Sequence, residues 1–341
     1  MEVSNPPTSG VFPILDSSHV GEARRAAMSF ARDAGLSETE CGVVGIVATE
    51  LGNNLVRHAR DGRLAIQWLA TPRGNALEIL SIDAGPGMVA PERCLQDGYS
   101  TSGTPGTGLG AVKRMSTEFD LYSQPGRGTV IVSRVLPTKS AQTAPPALAW
   151  GAYCRPVAGE SECGDAWDAR HTGQSGRFLV VDGLGHGPQA AVAARRAIET
   201  FERRSQEAPQ EFLAGAHGTL AGTRGAAAAM LSVDLHTRAI RFAGVGNIAA
   251  TLCADSGNRG LISHNGILGV QVRKFQAFDY TWPADSLLVM HSDGLRTRWS
   301  LADYPGVQLR HPSVVAGVLA RDFDRGSDDL TVVVARLGGG R

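Results

Sequence analysis

Apolar residues in the first third of the chain follow a helical pattern. Between Val43 and Leu55 they recur at a spacing that predicts an amphipathic helix over residues 37–60. Ser37 and Glu40 stand three residues apart at its start, as in a capping box. The pattern therefore predicts a capped helix with one buried face.

Shorter apolar blocks follow this helix. Residues 64–68 and 77–82 have the length and composition of β-strands, and a further pair of strands flanks residues 126–129. Between them lies a glycine-rich loop, residues 103–110, which leads into a predicted short helix over residues 111–118. This part of the chain is therefore predicted to combine helices with a sheet.

The second half contains mostly apolar runs at residues 178–181, 287–292 and 330–334. Runs that do not alternate with polar residues are typical of strands buried on both faces. Residues 190–204 have the pattern of a covering helix, and we expect its basic residues to be solvated. We therefore expect a layered domain here.

A segment rich in Pro, Ala and Thr separates the two halves. Residues 137–149 show no apolar periodicity, which is typical of a linker. A length of 341 residues also favours two domains. We predict that they occupy residues 10–136 and residues 150–338.

The bulk composition argues against several classes of function. Because 33 Lys and Arg balance 33 Asp and Glu, no net charge draws the chain to nucleic acid or to a membrane surface. No apolar stretch is long enough to span a bilayer, and no signal peptide is recognisable. Five scattered cysteines without a C-x-x-C pair favour a cytoplasmic protein over a disulfide-bonded or zinc-binding one.

Polar residues of the first half suit a magnesium–nucleotide site. Glu50 and Asn54 are four residues apart and share one face of the predicted helix. An amide such as that of Asn54 can hold the Mg²⁺ that bridges phosphates, and a nearby carboxylate can polarise an attacking hydroxyl. Asp83, at the end of a predicted strand, can accept a hydrogen bond from adenine. The glycines of the loop let backbone N–H groups approach phosphates.

Residues 10–136 resemble the GHKL ATPases, whose four sequence boxes they contain in order. The stretch Gly108–Met115 is most similar to the anti-sigma-factor kinases of the RsbT type. No segment with a phosphoacceptor His precedes the boxes, which disfavours a sensor histidine kinase. The boxes are Glu50-Leu51-Gly52-Asn53-Asn54, Asp83-Ala84-Gly85-Pro86-Gly87, Gly106-Thr107-Gly108-Leu109-Gly110 and Gly126-Arg127-Gly128-Thr129.

The resemblance implies an α/β sandwich that binds ATP with Mg²⁺ and transfers the γ-phosphoryl group to a serine of a STAS-domain protein. By the same resemblance Glu50 is the catalytic base, Asn54 the Mg²⁺ ligand and Asp83 the adenine contact. The other residues expected around the nucleotide are Gly85, Gly87, Gly106, Gly108, Leu109, Gly110 and Thr129.

Four Asp residues lie beside the apolar runs of the second half. If the strand ends meet, the carboxylates come together and repel one another unless a cation lies among them. Hard divalent ions with oxygen ligands are the usual solution, and a pair of them suits the hydrolysis of phosphate esters. The four residues are Asp165, Asp182, Asp293 and Asp328.

Residues 150–338 resemble the SpoIIE and RsbX branch of the metal-dependent PPM protein phosphatases. The resemblance implies a β-sandwich flanked by helices, so the whole chain is predicted to be an α/β two-domain protein. The similar motifs are Gly164-Asp165, Asp182-Gly183-Leu184-Gly185-His186-Gly187, Gly244-Val245-Gly246-Asn247, Ser292-Asp293-Gly294 and Asp328-Asp329-Leu330-Thr331.

The same resemblance implies two Mn²⁺ or Mg²⁺ ions. Asp182 is expected to bridge both ions, and the carbonyl group of Gly183 to support one of them. Asp165, Asp293 and Asp328 are expected to complete the ligand set.

Four polar neighbours of these motifs have less defined expectations. His186 is either a general acid for the leaving serine or a loop residue. Asp329 is expected to support the ligands from behind or to cap a strand. Asn247 is interpreted as a turn residue, and His291 as a packing residue on the other strand face from Ser292.

Together these features predict a bifunctional regulator of partner-switching signalling. One domain would phosphorylate a serine of a STAS-domain protein, either an anti-sigma antagonist or a stressosome-like scaffold, and the other would remove the phosphate. Three alternatives stay open. The first domain can be an ATP-sensing dock without transfer activity, the chain can sequester a sigma factor, or the phosphatase can act on a small metabolite.

Overall fold

The computed structural model describes residues 9–71, 73–95, 108–137 and 146–338. Gly106, with most of the predicted glycine-rich loop, and most of the predicted linker lie outside these residues. No helix in the described ranges combines the length and the apolar character needed to cross a membrane.

Contacts between Cα atoms divide the chain into two compact units, and each unit consists of two separate stretches of sequence. Unit 1 consists of Met1–Ala144 and Leu301–Arg321, and unit 2 consists of Pro145–Ser300 and Asp322–Arg341.

Unit 1 is built on one five-stranded sheet in the order β1-β2-β3-β5-β4, and every neighbouring pair is antiparallel. Both predicted strand blocks and the predicted final pair are present, and each strand is longer than its apolar block. The strands are β1 (Ser9–Pro13), β2 (Arg63–Thr71), β3 (Gly74–Asp83), β4 (Glu118–Gln124) and β5 (Gly128–Val135).

Helices cover one face of this sheet. Apolar residues of the first two helices and of alternate strand positions, such as Leu77 and Ile79, form one buried core. Ser37 caps the second helix, and the Glu40 side chain returns a bond to the Ser37 backbone, so the predicted capping box is confirmed. The helices are α1 (Ser17–Asp33), α2 (Glu38–His58), α3 (Pro91–Cys94) and α4 (Gly108–Met115).

The helix predicted over residues 111–118 was wrong at both ends. Helix α4 starts three residues earlier, at Gly108, and ends at Met115. Glu118 begins strand β4 instead, and Phe119 and Leu121 of that strand contact the core. The burial pattern therefore changes from that of a helix to the alternation of a strand within three residues of Met115. This interval is too short for the sequence pattern to reveal the change.

Unit 2 contains two five-stranded antiparallel sheets, ordered β15-β10-β9-β8-β7 and β12-β11-β16-β17-β6, and a small β13-β14 pair. The strands are β6 (Leu148–Arg155), β7 (Asp165–His171), β8 (Ser175–Gly183), β9 (Ala226–Asp234), β10 (Ala239–Val245), β11 (Ala249–Ala254), β12 (Gly257–Gly260), β13 (Gly266–Ile267), β14 (Gln271–Val272), β15 (Phe278–Thr281), β16 (Leu287–His291) and β17 (Leu330–Leu337).

The two large sheets of unit 2 share a buried core that includes Trp150 and Val333 of one sheet and Phe178 and Phe242 of the other. The opposite face of the β8 sheet is covered by α5 (Pro188–Arg204) and α6 (Pro209–Thr219), which contribute a second apolar core. The helix predicted over residues 190–204 is present and begins two residues earlier. Unit 2 is thus a sandwich of two sheets with helices on one face.

Leu301–Arg321 follows strand β16 in the chain yet belongs to unit 1. Most of helix α7 (Pro312–Phe323) lies in this segment. A Cβ atom at Gly317 would lie 2.7 Å from Val130 and 3.3 Å from Leu80. Because Leu80 alternates with Leu77 and Ile79, α7 covers the sheet face opposite α1 and α2.

A buried polar network joins this segment to the sheet of unit 1. Glu78 is fully buried and accepts hydrogen bonds from Arg134 Nε (2.7 Å), Gln67 Nε2 (2.8 Å) and Ser313 Oγ (2.6 Å). Arg134 also donates to Glu118, at 3.1 Å. Each buried charge in this network therefore has a partner of opposite sign.

Candidate nucleotide site and candidate metal centre

Helix α2 carries the two polar residues that were predicted to act on a nucleotide. Asn54 Nδ2 is buried and has no hydrogen-bond partner within the described residues. A buried amide that lacks a partner is costly, unless a ligand supplies one. The amide of Asn54 therefore fits a site for a magnesium–phosphate group.

Glu50 faces the start of helix α4. Its Oε2 atom lies 2.8 Å from the position that a Cβ atom would take at Gly108, so the carboxylate lies close to the helix backbone there. Gly110 is buried in α4, and Leu109 packs partly against the core of unit 1. The contacts of Gly106, Gly108, Leu109 and Gly110 with phosphates stay a prediction, and Gly106 lies outside the described residues.

Asp83 ends strand β3 and begins a tight turn. Its Oδ1 atom accepts a hydrogen bond from the Gly85 N–H, at 2.7 Å. Burial raises the pKa of Asp83 in spite of this bond. A Cβ atom at Gly85 would lie 2.7 Å from the His58 carbonyl oxygen, so the turn packs directly against the end of α2, the helix of Glu50 and Asn54.

Two more of the predicted nucleotide residues border this turn. Gly87 has a φ of +69°, and a Cβ atom there would come within 2.2 Å of the Gln124 carbonyl oxygen, so the backbone requires glycine. Thr129 pairs with Asp83 across the β3–β5 ladder, and its hydroxyl lies 2.9 Å from that of Ser123. Asp83 and Thr129 are therefore neighbours, as an adenine site would need.

In unit 2, strands β7 and β8 bring two of the predicted acids together. Asp165 starts β7 and pairs with Asp182 of β8. The backbone N–H of Gly183, the last residue of β8, donates to the Gly164 carbonyl, at 3.0 Å. A Cβ atom at Gly183 would lie 2.3 Å from the Ala190 carbonyl oxygen. This position therefore needs glycine for close packing under helix α5.

The other two acids come from the ends of neighbouring strands in the second sheet. Asp293 lies two residues after the end of β16 and Asp328 lies two residues before the start of β17, and these strands pair side by side. Burial and the negative charges of Asp293 and Asp328 raise the pKa of Asp182 to about 7. Acids from distant parts of the chain thus influence one another electrostatically, and their role as metal ligands stays a prediction.

Asp165 lies deepest among the four acids. Its burial and the charge of Asp182 raise the pKa of Asp165 well above its ordinary value. Ser292 Oγ donates to Asp165 Oδ2 at 2.6 Å and accepts from the Thr331 N–H at 3.0 Å, which fixes the carboxylate to both sheets. Within the described residues, no ion pair joins any of the four acids to Lys or Arg.

Asn247 is a site residue that the sequence interpretation missed. It was interpreted as a turn residue, but its Nδ2 atom donates to Asp293 Oδ2 at 2.9 Å. A hydrogen bond from the same side chain also lowers the pKa of Asp182. The signal was its place in the Gly246-Asn247 motif, since spacing alone cannot connect residues 46 positions apart.

The donor set at this centre consists of carboxylate and carbonyl oxygens, which suits hard divalent cations such as Mn²⁺ and Mg²⁺. In the described ranges, no three His, Cys, Asp or Glu side chains converge closely enough to form a ready-made metal site. The uncompensated charge of the acids nevertheless fits cations. The residues therefore suit ions held jointly by a few carboxylates and water, rather than a closed structural site.

Two neighbouring residues, Asp329 and His291, have separate roles. Asp329 accepts hydrogen bonds from the Val157 and Gly164 N–H groups, at 2.7 and 2.8 Å, and so positions the backbone before Asp165. His291 is buried; its Nε2 atom accepts from Trp299 Nε1 at 3.1 Å, in agreement with a packing role.

His186 is exposed, and its Nδ1 atom lies 2.7 Å from Glu160 Oε1. This contact orients the imidazole ring, and its role as a general acid stays a prediction.

Comparison with known protein families separates the chain into the same two kinds of domain. Residues 14–134 match the histidine kinase-like ATPase domain family. Residues 172–338 match the stage II sporulation protein E (SpoIIE) family. The predicted α/β two-domain fold, with an ATPase-type domain followed by a PPM-type domain, is thus confirmed.

Two proteins of Bacillus subtilis (strain 168) are similar to different parts of the chain. The serine/threonine-protein kinase RsbT is 34% identical over 109 residues, which are 32% of this chain and 82% of RsbT. The phosphoserine phosphatase RsbX is 25% identical over 182 residues, which are 52% of this chain and 89% of RsbX.

Solved structures match the phosphatase part. One from work on the bacterial stressosome is 32% identical with a TM-score of 0.52, and covers 55% of this chain and 99% of that chain. A structure of RsbX in complex with magnesium, 22% identical with a TM-score of 0.51, covers 56% of this chain and 96% of that chain and supports the fold alone.

Proposed function

The chain belongs to two families, with one RsbT-like histidine kinase-like ATPase domain and one SpoIIE-type phosphatase domain, and we propose that it both phosphorylates and dephosphorylates a serine of a STAS-domain protein. The observation that carries the phosphatase half is the set of buried acids around Asp182. Burial and the negative charges of Asp293 and Asp328 raise the pKa of Asp182 to about 7, and no Lys or Arg of the described residues forms an ion pair with these acids.

Two divalent cations, Mn²⁺ or Mg²⁺, when bound, supply the positive charge that screens a phosphoryl group and activates water for in-line attack. Asp182 would be the principal ligand of the cations, with Asp165, Asp293 and Asp328 as further ligands and the Gly183 carbonyl as support. Asn247 orients Asp182 and Asp293 through its amide. Ser292 and Asp329 keep Asp165 and its backbone in place.

In the ATPase domain, the residues of α2 divide the work of phosphoryl transfer. Glu50 accepts the proton of the attacking serine hydroxyl, and Asn54 holds Mg²⁺ with ATP. Asp83 accepts a hydrogen bond from the adenine amino group, beside Thr129. The position of the Glu50 carboxylate supports this proposal, because its Oε2 atom lies 2.8 Å from where a Cβ atom at Gly108 would be, beside the start of the predicted phosphate-binding helix.

The partner class follows from the relatives. RsbT is a serine/threonine-protein kinase and RsbX a phosphoserine phosphatase, and a stressosome structure resembles the phosphatase part. A STAS-domain protein phosphorylated on serine is the substrate class that suits both. Opposed activities in one chain then set the phosphorylation level of that partner.

The full-length chain tests this function with a cognate STAS-domain protein and γ-labelled ATP. The wild-type chain is expected to label a serine and then to release the label as phosphate when Mn²⁺ is added. Glu50→Gln is expected to lose labelling by about 100-fold while ATP still binds. Asp182→Asn is expected to leave the label in place.

Three results would favour the alternatives. ATP binding without serine labelling by the wild-type chain would make the first domain a sensor, since Asn54 and Glu50 serve ATP binding equally well in that case. Direct capture of a sigma factor would make the chain a sequestering protein. Faster turnover of small phosphorylated metabolites than of the phosphorylated STAS protein would change the substrate class of the phosphatase.

A further inference from the structure

Two thiols of unit 2 lie in van der Waals contact beside the acid centre. The Sγ atoms of Cys154 and Cys163 are 3.6 Å apart, and both cysteines are free and half-buried. The proposed reactions use neither of them. Unlike Cys41, Cys94 and Cys253, each has a second cysteine within reach, and this pairing brings together residues on separate segments.

The two cysteines differ in how firmly the fold holds them. Cys154 lies in strand β6, pairs with Thr331 of β17, and accepts a hydrogen bond from the Thr331 hydroxyl, at 3.1 Å. Cys163 lies in the irregular connection between β6 and β7, next to the exposed residue Glu162. A disulfide bond is about 2.05 Å long, so the sulfur atoms must approach by about 1.5 Å. Cys163 is the partner that moves.

A shift of Cys163 acts directly on the acid centre. Its neighbour Gly164 donates to Asp329 Oδ2 at 2.8 Å and accepts from the Gly183 N–H at 3.0 Å. The next residue is Asp165, whose carboxylate is fixed by Ser292. Gly164 also packs closely against helix α5, since a Cβ atom there would lie 2.7 Å from Ala190. A shift of its backbone would therefore strain these hydrogen bonds. Backbone supports of this kind control how well ligands bind a metal.

We propose that Cys154 and Cys163 form a reversible disulfide that weakens cation binding at the acid centre and switches off the phosphatase, an inference that rests on the proposed function for its activity readout. The oxidant is a hydroperoxide. One thiolate attacks its terminal oxygen and becomes a sulfenic acid as water or an alcohol leaves. The second thiol then attacks that sulfur, the S–S bond forms, and water leaves. A dithiol returns both sulfurs to thiols by exchange.

The covalent step is tested on the full-length chain with hydrogen peroxide, followed by removal of the oxidant, alkylation and intact-mass analysis. The reduced chain has five alkylatable cysteines, and the oxidised chain is expected to lose two of them, with Cys154 and Cys163 in one cross-linked peptide. Cys154→Ser and Cys163→Ser are expected to prevent the cross-link, whereas the control Cys94→Ser keeps it. Five labelled cysteines after oxidation, or a stable sulfinic acid instead of the cross-link, would overturn the proposal.

The functional step has two independent readouts. Oxidation is expected to lower the affinity for Mn²⁺, measured by calorimetry, and the rate of phosphoserine hydrolysis, each by about 10-fold or more. Dithiothreitol is expected to restore both. Cys163→Ser should keep both properties after oxidation, and ATP binding should not change in any sample. A cross-linked chain with unchanged Mn²⁺ affinity would overturn the switch. Normal redox control of Mn²⁺ binding without any phosphatase activity would instead reject the proposed function and leave the switch standing.

Discussion

Each unit has a cluster of acidic side chains that are largely removed from solvent, but only the Glu78 cluster of unit 1 is paired with a cationic side chain. Glu78 lies under helix α7 with Arg134 bonded to it at 2.7 Å. Asp165 of unit 2 is also buried and Asp182 is half-buried, and burial together with other carboxylates raises the pKa of each. The first cluster is neutralised inside the protein, and the second is not.

This difference separates structural charge from functional charge. A buried ion pair with every hydrogen bond made holds elements together, here the sheet of unit 1 and the segment Leu301–Arg321. A buried group of like charges destabilises the fold unless something from solution completes it. The unpaired amide of Asn54 is a milder case of the same kind. The acid centre and the Asn54 nitrogen therefore lack partners that a cation or a nucleotide can supply, whereas the Glu78 cluster is complete within the protein.

The largest effect is expected from the acid centre. Asp182→Asn removes the charge of the acid that is proposed to hold both cations, so phosphoserine hydrolysis should fall by about three orders of magnitude with the fold intact. Hydrolysis in Mn²⁺ is the measurement, and Asp279→Asn, on an exposed strand, is the matched control. Full Mn²⁺-dependent activity of Asp182→Asn would contradict the site.

A substitution in the Glu78–Arg134 cluster of unit 1 should change stability rather than enzymatic activity. Arg134→Met leaves Glu78 buried without its ion-pair partner, so unit 1 should lose about 3–5 kcal/mol of its free energy of unfolding. The exposed pair of Arg241 and Asp279, 3.7 Å apart, supplies the control, since Arg241→Met should change stability by less than about 1 kcal/mol. Equal decreases in melting temperature for Arg134→Met and Arg241→Met, measured by calorimetry, would contradict this prediction.

The unpaired cluster should also give the chain an unusual pH dependence without metal. Because the folded pKa of Asp182, about 7, exceeds its unfolded value, the folded state holds the proton more tightly. Unit 2 should therefore lose about 2–4 kcal/mol as pH rises from about 4 to about 7. The difference in the free energy of unfolding between wild type and Asp182→Asn, measured with denaturant, isolates this contribution. Mn²⁺ should reverse the loss of stability at pH 7. A difference that does not change with pH would refute the repulsion.

A smaller effect is expected at the nucleotide site. Asn54→Ala removes an amide that has no partner in the described protein, so affinity for Mg-ATP should fall by about 10-fold or more while phosphoserine hydrolysis persists. Asn53→Ala, one position along the same helix, is the control. Unchanged ATP affinity in Asn54→Ala would remove Asn54 from the site, and loss of both activities would show that the two domains act together.

How far the sequence predicts this molecule depends on how local the deciding interaction is. The capping box at Ser37 involves residues three apart, and the strands beside Asp182, Asp293 and Asp328 are local apolar runs. These predictions agree with the structure. The end of helix α4 was wrong, because the switch to strand burial takes place within three residues of Met115.

The spacing of residues in the sequence did not reveal the longer-range contacts. Asn247 bonds to a carboxylate 46 residues away, and Ser313 bonds to Glu78 across 235 residues. Chain position assigns Leu301–Arg321 to the predicted second domain, residues 150–338, whereas its contacts assign it to unit 1. A helical pattern predicts that one face of a helix is buried. It does not show which sheet that face packs against.

The central claim is that the four acids of unit 2 hold a pair of divalent cations. Crystals of the full-length chain soaked in Mn²⁺, with diffraction recorded at the manganese absorption edge, test it most directly. The account predicts two anomalous peaks that share Asp182 as a ligand, with Asp165, Asp293 or Asp328 at one or both. Saturating Mn²⁺ with no peak within bonding distance of Asp182 would contradict it.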